Sequence, residues 1–540
     1  MTENNRMGVV RYSCERVIFP VVFYFVFFCI LTFPSVWYFS THLSSGAYDG
    51  FQNVWNLWWV NKAVTQLHCS PWYTTYLHWP YGVSLFGQTL NPFNGFLAIV
   101  LLKFMTLIQT HNLIMILSFV TGGWTAFLLA LYISRAYWGS LLAGFLFTFS
   151  SFHFVHALGH LQLVSLEWIP VFILCSYILL RKPSLILAAL TALTLFLVIL
   201  CDYYYFFYCV LSFLLMLVWF AWRRRDGIFF LRNEYALSMA VFLIGVCLTS
   251  GVIVMSLAHL NRIDPFLGAH ASNIYSIDAF DLFIPGIHWK FASMTKMYWS
   301  RLPEYAAEHS IYLGYAVFFM LAYGLVKRRR LKTEGLGLWY VIFFTFFILG
   351  LGPTLNVCGK PLLKDMKLPY AFLEQTVGFL KLSGCPVRMA VMLDLSAAVI
   401  FACGFGALFA KGRRKGLLCV LLLVLLIEHM PKPLPATDIS VPAYVEELKK
   451  IPGKEGIIDL VASPSRALYY QTIHEKPMAF GYVSRTPVSV FMKDRAVQQA
   501  IKEKRFQDLY RTYHLRYLLV DQGMEADPTK KKMFIQDLSK

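Results

Sequence analysis

The residues with the most chemical capacity sit at a few interruptions in an otherwise apolar chain. The first is YDGFQNVWNLWWV, which begins at Tyr48. Gln52, Asn53 and Asn56 follow Asp49 by three, four and seven positions, so on a helix the four make one polar stripe. A carboxylate at the head of such a stripe has two readings. It can cap the helix start, as Asp commonly does. Alternatively, when partly withdrawn from water, it acquires a raised pKa and takes a proton from a hydroxyl that the amides hold. Phe51, Val54, Trp55, Trp58 and Trp59 fill much of the remaining surface. Aromatic rings of this kind favour the membrane–water boundary. The expectation is a helix lying flat along a membrane, its tryptophans setting the depth and its polar edge walling a site.

His153, His156 and His160 recur at three and seven positions and share one face if a helix continues that far. Neutral imidazoles on one face can hold a divalent metal. The same residues also suit a plain boundary position, and no HExxH motif is present. Arg388, in LKLSGCPVRM, either snorkels toward headgroups or grips a lipid-linked phosphate through its planar fork, with Lys381 assisting. Glu308, in EHSIYLGY, and Asp202, in CDYYYFFY, are structural acids or substrate contacts. The chain has no Walker A loop, dinucleotide fingerprint, GxSxG elbow or serine triad.

The elements that must position these residues are membrane helices. Of the 540 residues, 58% are hydrophobic and only 14% charged, and a span needs about 20 apolar residues. The net charge of +18 does not mark a nucleic-acid binder. Its basic residues fall in short clusters between apolar runs, at Arg223 to Arg225, Lys327 to Arg330 and Arg413 to Lys415, the pattern of cytoplasmic loops. About eleven spans are expected, at 17–40, 112–133, 138–156, 163–180, 184–201, 203–222, 236–258, 311–326, 337–356, 387–409 and 416–429. The first follows Arg6, Arg11 and Arg16 and is longer than the roughly 7–15 residues of a signal core, so it is read as a retained anchor. The stretch 92–107, which carries Lys103, is read as a buried or interfacial helix, because an added span would invert every later loop. The N-terminus is then cytoplasmic. A long first outer loop (41–109) and an outer loop with Asp264, Asp278, Asp281, Glu304 and Glu308 lie outside, as does a loop with Lys360, Lys364 and Lys367. The eleven cysteines include no CxxC pair. Composition divides the chain into a membrane domain (1–429) and a small extracytoplasmic α/β domain (430–540) with helices near 441–450 and 488–513 and strands near 456–461 and 516–520.

An acid just past the first span, on a long outer loop of a multi-pass chain, resembles the GT-C superfamily of glycosyltransferases. The family includes protein mannosyltransferases, oligosaccharyltransferases and aminoarabinose transferases. The stretches that carry the resemblance are YDGFQNVWNLWWV, WPYGVSLFGQTLNPF, HALGHLQLVSLEWIP, EHSIYLGY, CPVRMAVMLDL and YYQTIHEKPMAFGYVSR, and they look nearest to uncharacterised bacterial members. The resemblance implies a multi-pass enzyme of a bacterial inner or plasma membrane, with a polyprenyl-phosphate sugar as donor and an extracytoplasmic lipid, glycan or protein as acceptor. It implies inverting hexosyl or pentosyl transfer, with Asp49 matching the first-loop catalytic acid and Arg388 a donor-phosphate contact. Metal-dependent relatives carry a carboxylate motif in the second outer loop. This chain offers His153, His156, His160 and Glu167 there, so a divalent metal stays an open question. Two other functions suit the same topology, a lipid or glycolipid transporter or flippase and a non-catalytic cell-envelope assembly protein. A transporter places ionisable groups near the bilayer midplane, whereas these acids and histidines gather at outer span ends.

The loop charges fix a testable topology. A reporter active only outside the cytoplasm, fused after Gln522, should give signal; a signal only from a cytoplasm-active reporter there overturns the whole assignment of loops.

Overall fold

The computed structural model describes residues 14–224, 233–303, 307–331, 335–362, 366–409, 415–521 and 533–539. Arg6, Arg11, Arg225, Glu304, Lys364, Arg413, Arg414 and Gln522 lie outside the described residues, as do the side chains of Arg328 to Arg330. The molecule is mostly helical. Six runs among the described residues are long and apolar enough to cross a membrane: Cys14–Leu31, Leu107–Ser134, Tyr137–Ala157, Tyr203–Arg224, Asn233–Ile263 and Pro386–Phe409. Shorter apolar helices include Trp168–Arg181, Leu185–Cys201, Tyr315–Lys327 and Leu336–Gly350.

Local chemistry sets where these helices stop. The first apolar run does not continue to residue 40 as one helix. It ends at Leu31, and a short 3₁₀ turn, Ser35–Tyr38, follows. Pro34 is the cause, since it lacks an N–H and excludes α geometry at the preceding residue. The run expected over 138–156 breaks at Phe149, and Ser150 caps the next helix, Ser151–Ala157, by accepting from the His153 N–H. Residues 92–107 hold one short helix, Pro92–Leu101, capped by the Asn91 side chain. Its Gly95 lies so close to Val60 that a Cβ there would sit 2.6 Å from a Val60 methyl.

The helix that begins the first outer loop, Ala47–Thr65, corrects an expectation. Its tryptophans do not rest at a membrane boundary. Phe51, Trp55 and Trp59 are at most 1% exposed. The cover is the helix Pro464–His474, from the other end of the chain. The Trp55 indole donates to Gln471 Oε1 at 2.7 Å, and Phe51 stacks on Tyr469 at 5.0 Å. Trp55 also stacks on Trp59. Rings of this size bury best against each other and against a polar partner for each indole N–H, which a closed interior supplies here. Lys62, in the last turn of the same helix, is buried and pairs with Glu475 at 2.7 Å.

The C-terminal region carries a three-stranded sheet. Leu515–Asp521 lies in the middle, parallel to Gly456–Asp459 and antiparallel to Met533–Asp537. The helices Ala443–Lys450, Pro464–His474, Val488–Lys502 and Phe506–Arg511 accompany it. One buried cluster joins Leu43, Phe51, Trp55 and Leu77 of the first outer loop to Val445, Leu448, Leu468 and Leu519 of this region. Two short antiparallel pairings tie it further: His42–Leu43 with Thr437–Asp438, and Phe266–Leu267 with Thr486–Pro487.

These contacts predict an asymmetry among tryptophans. Trp55→Ala should cost roughly 3–5 kcal/mol, the range for a buried large aromatic, and lower the thermal unfolding midpoint in detergent. Trp37→Ala, at a ring 77% exposed, should leave the midpoint nearly unchanged. Equal effects would contradict the packing described.

Candidate functional site

A cavity of about 380 Å³ opens between the segment 49–92, the helix ends near His156, Asp202 and Arg388, and the C-terminal region. It is lined by Asp49, Gln52, His156, His160, Asp202, Glu308, Arg388, Tyr482, Ser484 and Arg485, among others. The structure thus gathers seven of the residues singled out from the sequence, which are spread over more than three hundred positions, and adds three from near the C-terminus.

Asp49 does not cap its helix. Gly46 occupies the N-cap position and Asp49 lies in the first turn, where a negative charge suits the helix dipole. Its carboxylate turns outward from the helix. One oxygen accepts from the Tyr482 hydroxyl at 2.7 Å, and the other lies 3.2 Å from His160 Nε2. The expected raised pKa is also corrected. Burial alone raises it, but the His160 hydrogen bond and charge, the Tyr482 hydroxyl and the Arg388 charge together hold it below the usual carboxylate value.

The three amides divide. Gln52 lines the cavity and donates to the Tyr482 carbonyl at 3.0 Å, while its own oxygen accepts from the Thr89 hydroxyl. Asn53 and Asn56 are not cavity-lining residues, contrary to the polar-stripe expectation. Asn53 donates to the Gly159 carbonyl at 2.5 Å and Asn56 to the Thr89 carbonyl at 2.8 Å. They brace the walls instead. The Asn53 bond, together with Gly46 N–H to Leu158 O at 2.7 Å, fastens the Asp49 helix to the turn that carries His160.

The histidines divide as well. His153 is no metal ligand: Nδ1 lies 2.7 Å from the Thr148 carbonyl, Nε2 lies 2.9 Å from the Val164 carbonyl, and the ring stacks on Phe119. Both nitrogens point at main-chain carbonyls, one of which accepts the ring N–H, and the residue does not line the cavity. His156 and His160 do face it, with Nδ1 atoms 3.4 Å apart. His156 Nε2 is buried, has no hydrogen-bond partner among the described residues, and lies 3.7 Å from Glu308. Ligand atoms of His156, His160 and Glu308 all lie within 4.8 Å of one another. An orphaned imidazole nitrogen beside a second imidazole and a carboxylate is a donor set that fits a divalent transition metal.

Arg388 is buried and does not snorkel. Its fork meets Glu308 with NH2–Oε1 at 2.5 Å and Nε–Oε2 at 3.3 Å, and its guanidinium stands 5.0 Å over the Tyr204 ring. Burial alone raises the Glu308 pKa, but Arg388 and His156 hold it well below the usual range. The neighbour of Glu308, His309, anchors the loop by pairing with Asp281 at 2.9 Å; Asp281 in turn shares the Tyr298 hydroxyl with Asp278. These two aspartates therefore build the loop and do not line the cavity. Asp202 does line it. Its carboxylate accepts from the Tyr204 N–H at 2.7 Å, and burial pushes its pKa up to about 7. Lys381 is exposed at the end of the helix Gly378–Ser383 and lies off the cavity, which corrects its assignment as an assisting cation. Tyr482, Ser484 and Arg485 went unnamed at the sequence level; their stretch stood out only as part of a resemblance.

A family model described as a domain of unknown function, DUF6311, matches residues 55–428. No curated protein matches the chain. Among solved structures, the mycobacterial arabinofuranosyltransferase AftD is similar at a TM-score of 0.53 and 13% identity, over 96% of this chain and 37% of that one. The oligosaccharyltransferase AglB of Archaeoglobus fulgidus, in complex with an inhibitory peptide and a dolichol-phosphate, is similar at 0.44 and 12%, over 93% and 69%. The same archaeon's oligosaccharyltransferase in complex with Zn and sulfate gives 0.47 and 13%, over 93% and 68%. The likeness to AftD shows a shared fold.

The titration of Asp202 yields a stability test. A carboxyl with a folded pKa of about 7 against a reference of 3.8 favours the folded state fully below the reference value. That contribution is lost as pH rises to about 7. Across this window the unfolding midpoint of the native chain should fall relative to that of Asp202→Asn, and a constant difference would show that Asp202 does not titrate there.

Proposed function

The chain belongs to the DUF6311 family, and from that premise we propose that it is an integral-membrane glycosyltransferase moving a sugar from a polyprenyl-phosphate donor to a hydroxyl on a lipid, glycan or protein. One observation carries the reading. Asp49 is free of any capping role and presents its carboxylate, oriented by Tyr482 and His160, into a cavity that also holds Arg388 and Glu308.

The acceptor hydroxyl lies against Asp49 and gives its proton to the carboxylate as its oxygen forms a bond to the anomeric carbon. The bond from that carbon to the phosphate oxygen breaks, and the phosphate leaves with the electron pair. A single displacement of this kind inverts the anomeric centre. Arg388, held by Glu308 and Tyr204, is aimed at the growing negative charge. His156, His160 and Glu308 are the residues that would hold a divalent ion, which would supply further positive charge beside the phosphate. Gln52 sets the wall against which the acceptor rests.

In the membrane, this reading places the chain as a multi-pass protein of about eleven spans, in a bacterial inner or plasma membrane, with a cytoplasmic N-terminus. The first outer loop (41–109) and the region 430–540 form an extracytoplasmic roof over the cavity. Transport is the second reading. Asp394, buried within the Pro386–Phe409 run with one carboxylate oxygen unpartnered, is the kind of group it calls for. The gathering of Asp49, Asp202, Glu308, His156, His160 and Arg388 in one cavity favours chemistry there.

The test is transfer by purified protein offered a panel of polyprenyl-phosphate sugars. Asp49→Asn keeps the size of the side chain and can still accept from Tyr482, so it should fold. Its rate should fall roughly 100-fold or more, the scale of general-base catalysis. Full activity in Asp49→Asn would remove the base from this residue and the reading with it.

A further inference from the structure

The segment Tyr482–Pro487 crosses the mouth of the cavity as a strap. It is fixed at several points. The Tyr482 hydroxyl bonds to Asp49, the Ser484 N–H donates to Gln88 Oε1 at 2.7 Å, and Thr486–Pro487 pair with Phe266–Leu267. At its far end the Ser489 N–H donates to Asp264 Oδ1 at 3.0 Å. The strap lies flush against the turn at Gly87, where a Cβ would come within 3.0 Å of Arg485 Cβ. A segment held this closely presents its one cation, Arg485, to the cavity from a fixed backbone.

The two guanidiniums at the cavity are not equivalent. Arg388 is engaged by a carboxylate through Nε and one of its two terminal nitrogens. Arg485 donates only to main-chain carbonyls among the described residues, Ser484 at 2.9 Å and Ser383 at 3.5 Å, and has no carboxylate partner there. A carbonyl orients a guanidinium without neutralising it, so the Arg485 charge remains available to an incoming anion. Of the two guanidiniums at the site, Arg388 answers Glu308, which leaves Arg485 as the one without a carboxylate partner among the described residues.

We infer that Arg485 is the principal phosphate-binding residue of the cavity, supplied by the C-terminal region, and that its ligand is a singly charged phosphodiester on a lipid. One free cation matches one anionic charge; a doubly charged diphosphate would need a second, which Arg388 cannot give while Glu308 holds it. The inference rests on reading the cavity as a lipid-phosphate donor site, and it moves the main donor contact from Arg388, whose fork is occupied, to Arg485. Arg388 then acts chiefly on charge that develops during the reaction.

The experiment titrates the purified full-length protein in detergent with a polyprenyl methyl phosphate, a phosphodiester with no sugar to transfer, and, separately, with inorganic phosphate, and reads binding by calorimetry. Arg485→Gln should weaken the lipid about 10-fold or more, the scale of one charge-assisted contact, with the unfolding midpoint of the unliganded protein unchanged. If Arg485→Gln fails to fold, Arg485→Lys carries the test, since it keeps charge but loses the planar fork and should bind less tightly than the native chain. Lys493→Gln, at a lysine that stands over Tyr81 away from the cavity, should bind as the native chain does. Unchanged lipid affinity in a folded Arg485→Gln overturns the inference, and inorganic phosphate binding as tightly as the lipid overturns the lipid assignment. Binding is read without turnover, so loss of the Asp49 reaction and loss of the Arg485 contact are separate results.

Discussion

The buried pair of Arg388 and Glu308 is the constraint around which the cavity is organised. Each ion loses several kcal/mol of hydration on burial, and the attraction between them offsets this only when the geometry is good and the remaining hydrogen-bonding capacity is met. Here the contacts of Arg388 Nε and one terminal nitrogen with Glu308, and the Tyr204 ring face beside the guanidinium, supply the attraction. The pair also has a structural consequence. Glu308 lies on a long loop and Arg388 on the turn Pro386–Met389 that opens an apolar run, so satisfying both charges fixes the loop against the end of that run. A site for an anion requires a cation kept near but not wholly quenched, and a bidentate pair alone would quench it. That is why the second guanidinium, on the strap, matters to the chemistry.

The rest of the cavity is held by amides acting on main chain. Gln52 reaches the Tyr482 carbonyl, Asn53 reaches Gly159 and Asn56 reaches Thr89. Each bond joins the Asp49 helix to a different wall. Buried amides must find partners, because an unsatisfied buried polar group costs about 1–3 kcal/mol. A helix with one such amide per wall can therefore sit in only one way. The tryptophans on its other face make the same helix the core of the outer assembly, since the stack of Trp55 on Trp59 is closed by Gln471 from the C-terminal region. Asp49 inherits its placement from both faces at once.

Much of this was legible in the sequence, for a physical reason in each case. Apolar runs bounded by basic clusters locate helices because bilayer thickness fixes their length, and the helices at Leu107–Ser134, Leu185–Cys201 and Tyr203–Arg224 lie where the runs put them. The chemistry-bearing residues Asp49, His156, His160, Glu308 and Arg388 stood out because ionisable groups are costly beside lipid. What periodicity does not carry is direction relative to partners far along the chain. Asn53, Asn56 and His153 share a spacing with cavity residues yet turn to backbone carbonyls, and the indoles face protein where lipid boundary was expected. Tyr482 and Arg485 were invisible as site residues because nothing in FGYVSR distinguishes a strap from a surface loop until the Asp49 helix is placed beneath it.

The low pKa of Asp49 sharpens what kind of base it can be. A carboxylate held below its usual range is a weak proton acceptor in equilibrium terms. It is also ionised at any physiological pH, so none of its population is lost to prior protonation. Its value then lies in position. Tyr482 and His160 each hold one of its two oxygens, and the residue lines the cavity. Orientation of this sort lowers a barrier by removing the entropy of finding the reactive geometry. It also makes the base sensitive to its surroundings. An anion bound at Arg485 adds negative charge to the cavity, which raises the proton affinity of every carboxylate there. On the proposed reading, Asp49 is strengthened as a base by the presence of the donor, and weakest when the cavity is empty.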